Sequence, residues 1–296
     1  MLRRRFTDLQ PFAYLMKSIG KGNMQGDKKT ELPSVLERHE LKYTIPYSYV
    51  EPITRFLLIY CDYDYYSTLS DDRFYQVNSL YFDTRCHEFL KQRLFGKNGR
   101  FNMRVRCYGR GNIAPYYLEI KHKHGITGVK YRAKAGEHEW PAILTDPDYR
   151  VQATESVQER RNKELFSRIA CSYSIEPKIL TQYRRRAFVS NVDEYARVTM
   201  DVDMRYRLQS HYGLVPDEYM TNYDNETIYS NGCNREASVI LELKCNIGQV
   251  PAWMLDLIAL FELKQQGFSK YASSSLVALV DNGICYSQGD RIVPDY

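Results

Sequence analysis

Charged side chains recur at every second position in several short segments of this sequence. The segment "RHELK" carries Arg38, Glu40 and Lys42, and "RVR" carries Arg104 and Arg106. Side chains two residues apart in a β-strand lie on the same face of a sheet, so each segment predicts a strand with one ionic face. The same spacing occurs in Glu119, Lys121 and Lys123, in Lys130 and Arg132, in Arg197, Thr199, Asp201 and Asp203, and in Glu242 and Lys244.

Apolar residues occupy the positions between these charges and could form a core. They are Leu41, Tyr43, Val105, Ile120, Val129, Tyr131, Val198, Met200, Val202, Leu241 and Leu243. For one segment alone, the simpler interpretation is a solvated sheet face with cross-strand ion pairs. Six segments together favour a curled sheet, because helices covering the apolar face all round would turn the ionic face inward. Unpaired charges are costly in a dry interior, so the sequence predicts a hydrated tunnel for a polyanion.

The elements that would position these charges are strands in series with a few helices between them. Strands are predicted at 37–45, 75–83, 101–109, 116–123, 127–133, 178–189, 195–207 and 238–245, and helices at 46–61, 87–96, 155–170, 250–267 and 272–283. Without a βαβ rhythm, this order predicts an α+β fold with an antiparallel sheet. We expect a basic, flexible extension at 1–33 and a single domain at 34–290, with a long loop or lid at 208–237.

The amino-acid composition limits the classes of ligand and the cellular compartment that we expect for this protein. A formal charge of +5 and a pI near 8.7 permit an anionic ligand without indicating a nucleic-acid protein. The "YRRRAF" segment alone could bind nucleic acid, but the carboxylates among the cations argue against that partner. Seven cysteines without a C-x-x-C pair indicate neither a zinc site nor a disulfide framework and favour the cytoplasm. No apolar run is long enough for a membrane span, and peripheral membrane contact through the basic extension stays open.

An ordered set of short strings resembles one known family. The strings are "ERHELKY", "NSLYFDT", "RVRCYG", "LEIKHK", "VKYR", "YRRRAF", "RVTMDVD", "LELK", "VPAWM" and "FSKY". In this order they resemble the VTC domain, the polyphosphate polymerase branch of the CYTH-like triphosphate tunnel metalloenzymes. The resemblance runs from Glu37 to Tyr271. It implies an antiparallel β-barrel with a charged interior, surrounded by a few helices, that transfers the γ-phosphate of ATP to a growing polyphosphate chain.

The resemblance also implies roles for individual residues. Those acting on the transferred group are Arg104, Arg106, Lys121, Lys130, Arg185 and Arg197. Those binding polyphosphate or pyrophosphate are Arg38, Lys42, Lys123, Arg132, Tyr183, Lys244, Ser269 and Lys270. Glu242 matches the carboxylate that holds Mn²⁺ or Mg²⁺, with Glu40 and Glu119 as second choices. Lys123, Arg132, Glu40 and Glu119 follow from the shared strand face rather than from a motif.

One departure from the wider superfamily bears on the reaction. Its hydrolases begin with Glu-x-Glu-x-Lys, whereas Arg38 stands here at the place of the first glutamate. A guanidinium in place of a carboxylate removes a metal ligand and adds a phosphate-binding fork, which favours transfer over hydrolysis. A tripolyphosphatase or nucleoside triphosphatase, and a non-catalytic polyphosphate-binding module, remain the alternatives. The sequence does not indicate an oligomeric state.

Overall fold

A ten-stranded antiparallel sheet organises the computed structural model, which describes residues 38–109, 114–124, 127–151, 156–223 and 237–281. Its strands are β1 (Arg38–Pro46), β2 (Cys61–Tyr63), β3 (Tyr75–Asp83), β4 (Gly99–Tyr108), β5 (Tyr116–His124), β6 (Thr127–Ala135), β7 (Glu176–Ser190), β8 (Ala196–Leu208), β9 (Thr221–Asn222) and β10 (Ala237–Asn246). The order is β1-β10-β8-β7-β3-β4-β5-β6, while β2 pairs with β7 and β9 with β8. All eight predicted strands are present within two residues of their predicted ends.

Seven α-helices accompany the sheet in the described part of the chain. They are α1 (Val50–Leu57), α2 (Tyr65–Thr68), α3 (Glu88–Leu94), α4 (Ala142–Thr145), α5 (Val157–Tyr173), α6 (Ala252–Leu260) and α7 (Lys270–Asp281). The five predicted helices correspond to α1, α3, α5, α6 and α7, whereas β2, α2, α4 and β9 were not predicted. The predicted extension at 1–33 lies outside the described residues, as does 224–236 of the predicted loop.

Two of the predicted helices are shorter than the pattern indicated. The helix predicted at 46–61 is limited to α1, because a single 3₁₀ turn precedes it and β2 takes its last residue. The helix predicted at 250–267 ends at Leu260, and Glu262 then adopts a left-handed backbone with φ of 49°. The segment that follows pairs with β1, where the Gln266 amide donates to the Lys42 carbonyl at 2.9 Å. Pairing with an edge strand has therefore displaced the last turns of the predicted helix.

An ion pair between two strands that are far apart in the strand order shows that the sheet curls. Strands β1 and β5 are six steps apart, which would be roughly 29 Å in a flat sheet. The Lys121 ammonium on β5 nevertheless lies 2.5 Å from the Glu40 carboxylate on β1. The sheet is therefore a half-barrel with its ionic face on the concave side. This confirms the predicted α+β fold, in which a curled antiparallel sheet has a charged interior.

Helices α1 and α6 cover part of the convex face. Both helices pack on buried strand residues, among them Tyr43, Val198, Met200, Leu241 and Leu243. The rings of Tyr60 and Trp253 stack 5.8 Å apart at one end of the helix pair, and Tyr49 and Phe261 meet 5.7 Å apart at the other. Burial of each large apolar side chain contributes about 1.5–3 kcal/mol, so this layer holds the sheet in its curled form.

Helix α7 packs on the concave face, which the sequence did not predict. Its Tyr271 ring stacks on Tyr81 of β3 at 5.4 Å, and its hydroxyl donates to the Asp83 carboxylate at 2.5 Å. Tyr183 of β7 and Tyr206 of β8 belong to the same buried cluster. The concave face is therefore divided into an apolar part beneath α7 and an ionic part beside it.

A β-bulge in β8 changes which residues face the concave side. Asp203 is the extra residue, since Arg184 pairs with Val202 while Gln182 pairs with Arg205, and its φ is 50°. Strict alternation predicted Asp203 on the same face as Asp201. That prediction is wrong, because the half-exposed Asp203 carboxylate bonds Arg184 at 3.2 Å instead.

Two further observations concern the cysteines and the helices. The cysteines in the described part of the chain, at 61, 86, 107, 171 and 245, are free thiols. Of the helices described, none has the length and apolar character needed to cross a bilayer.

Candidate functional site

Glu119 collects three cations on the concave face. The strand register places it beside Arg104 of β4 and Arg132 of β6. The Arg104 Nε and the Lys130 Nζ lie 2.7 and 2.6 Å from its two oxygens, and the Arg132 Nε lies at 3.5 Å. Burial would raise the pKa of Glu119, but Arg104 and Lys130 hold that pKa well below its usual range. The carboxylate is therefore ionised, and it orients the donor groups of Arg104, Lys130 and Arg132.

Arg106 is buried on the same strand face and has neutral oxygen partners. Its Nη2 donates to the Tyr183 hydroxyl at 2.8 Å, and its Nε donates to the Ser79 hydroxyl at 3.1 Å. Hydroxyl oxygens orient a guanidinium without cancelling its charge. Arg106 therefore presents more uncompensated positive charge than Arg104.

Glu242 is the carboxylate of a second cluster, on β10. Its two oxygens lie 3.0 Å from the Lys42 Nζ and 2.8 Å from the Lys244 Nζ. Burial opposes ionisation, yet Lys244 and Lys42 keep the pKa of Glu242 well below its usual range. Lys42 also donates to the Phe268 carbonyl at 3.3 Å, which ties this cluster to the segment before α7.

Asp201 is the carboxylate of a third cluster and is fully buried. Arg185 forms a fork with it at 2.6 and 2.8 Å, and the Lys270 Nζ lies at 2.5 Å. The positive charges of Arg185 and Lys270 outweigh burial and lower the pKa of Asp201 to about 2. The Lys270 nitrogen also lies 4.4 Å from the centre of the Tyr183 ring. This cluster joins β7 and β8 to the first residue of α7.

The remaining predicted residues occupy separate positions. Lys121 pairs with Glu40, as described above. Lys123 lies two residues further along β5. Arg197 is exposed, with its guanidinium 5.9 Å from the Tyr195 ring centre. Ser269 accepts from the Ala272 amide at 3.3 Å and so stabilises the start of α7. Arg38 begins β1 opposite Asn246.

Arg93 belongs to this surface, although the sequence analysis missed it. It projects from α3, and burial together with the nearby Arg100 lowers its pKa. Its charge also opposes protonation of Lys42 and Lys123, so it lies near both. The two-residue spacing of charges marks residues on strands, whereas Arg93 reaches the site from a helix. The only sequence signal was a basic residue in the last turn of a predicted helix.

Two carboxylates could hold a divalent cation. Glu40 and Glu242 are diagonal neighbours, because Glu40 pairs with Lys244 and Lys42 pairs with Glu242. The pKa of each is lowered, so both are ionised donors. Among the described residues no group of three acidic, histidine or cysteine side chains could enclose a metal ion. The donor set therefore fits Mg²⁺ or Mn²⁺ shared between a carboxylate and phosphate oxygens, rather than an all-protein cage.

The described residues form a curled antiparallel sheet with arginines, lysines and buried carboxylates on its concave side, as the charged strand segments predicted. The chain belongs to the VTC domain family, whose sequence profile matches residues 37–279. The family assignment made from the ordered strings is thereby confirmed. Among curated proteins, none matches the chain significantly.

Three solved structures align with most of the chain at low identity. A candidate adenylate cyclase from Bacillus halodurans has 12% identity and a TM-score of 0.43, covering 79% of this chain and 96% of its own. The PH1819 protein from Pyrococcus horikoshii has 9% identity and a TM-score of 0.41, with coverages of 81% and 98%. A candidate adenylyl cyclase from Hippeastrum with a dominant triphosphatase activity has 12% identity and a TM-score of 0.44, with coverages of 83% and 96%.

Proposed function

We propose that this domain is a polyphosphate polymerase, which transfers the γ-phosphate of ATP to the end of a polyphosphate chain. Membership of the VTC domain family supports a phosphoryl-related activity. The observation that carries the proposal is the pair Arg104 and Arg106, held side by side on the concave face by Glu119, Ser79 and Tyr183. Fixed guanidinium forks match the geometry and charge of consecutive phosphates.

The proposed reaction asks the protein mainly for alignment and charge neutralisation. A terminal oxygen of the acceptor chain forms a bond to the γ-phosphorus, while the bond from that phosphorus to the β–γ bridging oxygen breaks and ADP leaves. The attacking oxygen is already ionised, so no general base is needed. Arg104, Arg106 and Lys130 would stabilise the charge that spreads over the equatorial oxygens of the transferred group. Lys42 and Lys244 would hold the rest of the phosphate chain.

Glu242, with Glu40 beside it, would hold Mn²⁺ or Mg²⁺. Such an ion supplies further charge neutralisation on phosphate oxygens when it is bound. Glu119 suits this role less, because its oxygens already bond Arg104, Lys130 and Arg132. ATP and polyphosphate are the proposed partners, and the free thiols of the described cysteines are compatible with the predicted cytoplasmic location.

A direct assay tests the proposal. Purified protein is incubated with ATP and Mn²⁺, and the products are separated on a gel that resolves polyphosphate by length. We expect a polymer that lengthens with time as ADP accumulates. Release of ADP with free phosphate and no polymer would identify a hydrolase instead.

A non-catalytic polyphosphate-binding module is the second candidate. It is favoured by the pairing of both Glu242 oxygens with Lys42 and Lys244, since a carboxylate so engaged binds a metal less readily. Such a module would bind polyphosphate tightly and yield neither polymer nor free phosphate from ATP in the same assay.

A further inference from the structure

Five tyrosines cluster at one end of the sheet, where β4 ends and where β3 and β5 begin. We call Tyr65, Tyr66, Tyr75, Tyr108 and Tyr117 the tyrosine rim. The Tyr66 ring stacks on Tyr108 at 5.1 Å with an interplanar angle of 21° and lies 5.5 Å from Tyr75. Tyr117 lies 5.4 Å from Tyr108, and Tyr65 lies 5.6 Å from Tyr66. The rim is therefore one continuous aromatic surface that runs from the sheet to α2.

The Arg132 side chain connects the tyrosine rim to the cations of the concave face. The Arg132 guanidinium lies 3.8 Å from the centre of the Tyr117 ring, and its Nη2 donates to the Tyr108 hydroxyl at 3.4 Å. The Nε of the same guanidinium is 3.5 Å from Glu119. A ligand with phosphates near Glu119 and Arg104 would therefore place its next chemical group against the rim.

Helix α2 is firmly anchored, although its tyrosines are exposed. The Asp64 carboxylate accepts from the Ser67 amide at 2.8 Å and from the Tyr75 hydroxyl at 3.3 Å. The Ser67 hydroxyl accepts from the Ala187 amide of β7 at 2.9 Å. The Tyr65 side chain on this helix is accessible to a ligand, because the residue is 71% exposed. Tyr66 is 37% exposed. Helix α2 and the sheet thus hold flat aromatic faces at the edge of a polar site.

We propose that the tyrosine rim binds the nucleoside of the phosphate donor, with its base stacked on Tyr65. This inference rests on the proposed function, because it assumes that a nucleoside triphosphate occupies the concave face. A base is a flat aromatic group that stacks on tyrosine, and the nearby arginine adds a cationic partner for the adjoining phosphate. Stacking accepts every base, so the rim would distinguish a nucleotide from inorganic phosphate chains without selecting adenine.

Paired ligands test the rim in the intact protein. The imido analogue of ATP and inorganic tripolyphosphate both carry three linked phosphates, and the nucleoside is present only in the analogue. We expect Tyr65→Ala to weaken binding of the analogue by about 5- to 30-fold, the loss of one stacked base, and to leave the Kd for tripolyphosphate unchanged. Tyr65→Trp retains a stacking face and should preserve binding of both ligands.

Tyr219→Ala is the matched control variant. Tyr219 is 77% exposed and lies two residues before Thr221, which pairs with Tyr206, and the register places Tyr206 four residues along the sheet from Tyr75. Calorimetry with each ligand should give unchanged affinities for this variant. If Tyr65→Ala alters both ligands equally or neither, while the native protein binds tripolyphosphate, the inference is overturned and the proposed function stands. If the native protein binds neither ligand, the proposed function and the inference both fall.

Discussion

Two of the ionic clusters on the concave face have the same chemistry, but their cations differ in solvent exposure. At the first residue of α7, Asp201 pairs with Arg185 and Lys270, whose side chains are 12% and 8% exposed. On β4 to β6, Glu119 pairs with Arg104, Lys130 and Arg132, whose side chains are 24%, 46% and 42% exposed. Each cluster holds one buried carboxylate among several cations. The difference lies in whether the cations can also reach a ligand.

This difference in exposure indicates that the two clusters contribute differently, one to stability and the other to ligand binding. The Asp201 cluster links the first residue of α7 to β7 and β8, so its charges mainly hold the helix on the sheet. Cations around Glu119 retain solvent contact and can exchange part of their pairing for phosphate oxygens. Family resemblance assigned Arg185 and Arg104 to the same transferred group, whereas their surroundings favour different contributions. Variants of the two clusters can separate these contributions.

Asp201→Asn should have the largest effect on stability. It would leave Arg185 and Lys270 buried without a counter-charge, so we expect a loss of about 3–5 kcal/mol in the free energy of unfolding. Glu119→Gln is the matched variant, and we expect it to cost about 1–2 kcal/mol, because Lys130 and Arg132 can turn toward water. Chemical denaturation of both variants measures the two losses. Equal losses would show that the two clusters do not differ in this way.

Arg104→Ala should affect ligand binding and turnover more than folding. Removal of one preorganised donor to the transferred group should lower kcat/KM about 100-fold, while the unfolding midpoint changes little. Arg184→Ala is the control, because the half-exposed Arg184 bonds Asp72 and Asp203 away from the concave face. Steady-state rates with ATP, measured beside thermal melts, test the pair. A similar loss of rate in both variants would contradict the assignment.

Glu242→Gln should separate turnover from binding. The amide keeps the shape of the side chain but loses the charge that neutralises Lys42 and Lys244. We expect turnover to fall about 10- to 100-fold, because a metal ligand is weakened, while affinity for tripolyphosphate is kept or increased. Calorimetry and the gel assay together provide the measurement. Unchanged polymer synthesis would remove Glu242 from the proposed metal site.

A modest pH dependence should follow from Lys130. Burial, reinforced by Arg104, lowers the pKa of Lys130 to about 7 against the pull of Glu119. A lysine loses its charge as the pH rises through its pKa, so affinity for tripolyphosphate should decline about 2- to 5-fold from about pH 6 to 8. The effect is small because the side chain retains solvent contact. Lys130→Arg, which stays charged, should flatten the profile measured by calorimetry.

Sequence alone could predict the sheet and most of its ionic face. The two-residue period of Arg104 and Arg106, or of Glu242 and Lys244, depends only on local strand geometry, and these residues share the concave face as expected. Arg93 and the placement of α7 could not be predicted in this way, because they depend on where helices pack in three dimensions. The roles assigned to the site residues stay predictions.

The predicted helix at 250–267 shows where local pattern and tertiary context diverge. Its apolar residues continue the helical pattern past Leu260, but the chain gains backbone pairing with β1 by leaving the helix. That extended segment delivers Phe268, Ser269 and Lys270 to the concave face. The loss of two helical turns therefore brings a cation to Asp201.

The extra residue at Asp203 governs the two-part character of the concave face. Before it, the odd-numbered Thr199 and Asp201 point inward, and after it the even-numbered Met204 and Tyr206 do. Regular alternation of the same residues would instead turn Asp203, Arg205 and Arg207 toward α7, and the helix would lose its apolar contacts with Met204 and Tyr206. The bulged register of this strand is thus as important as its composition, because regular pleating of the same residues would place charged side chains beneath the helix.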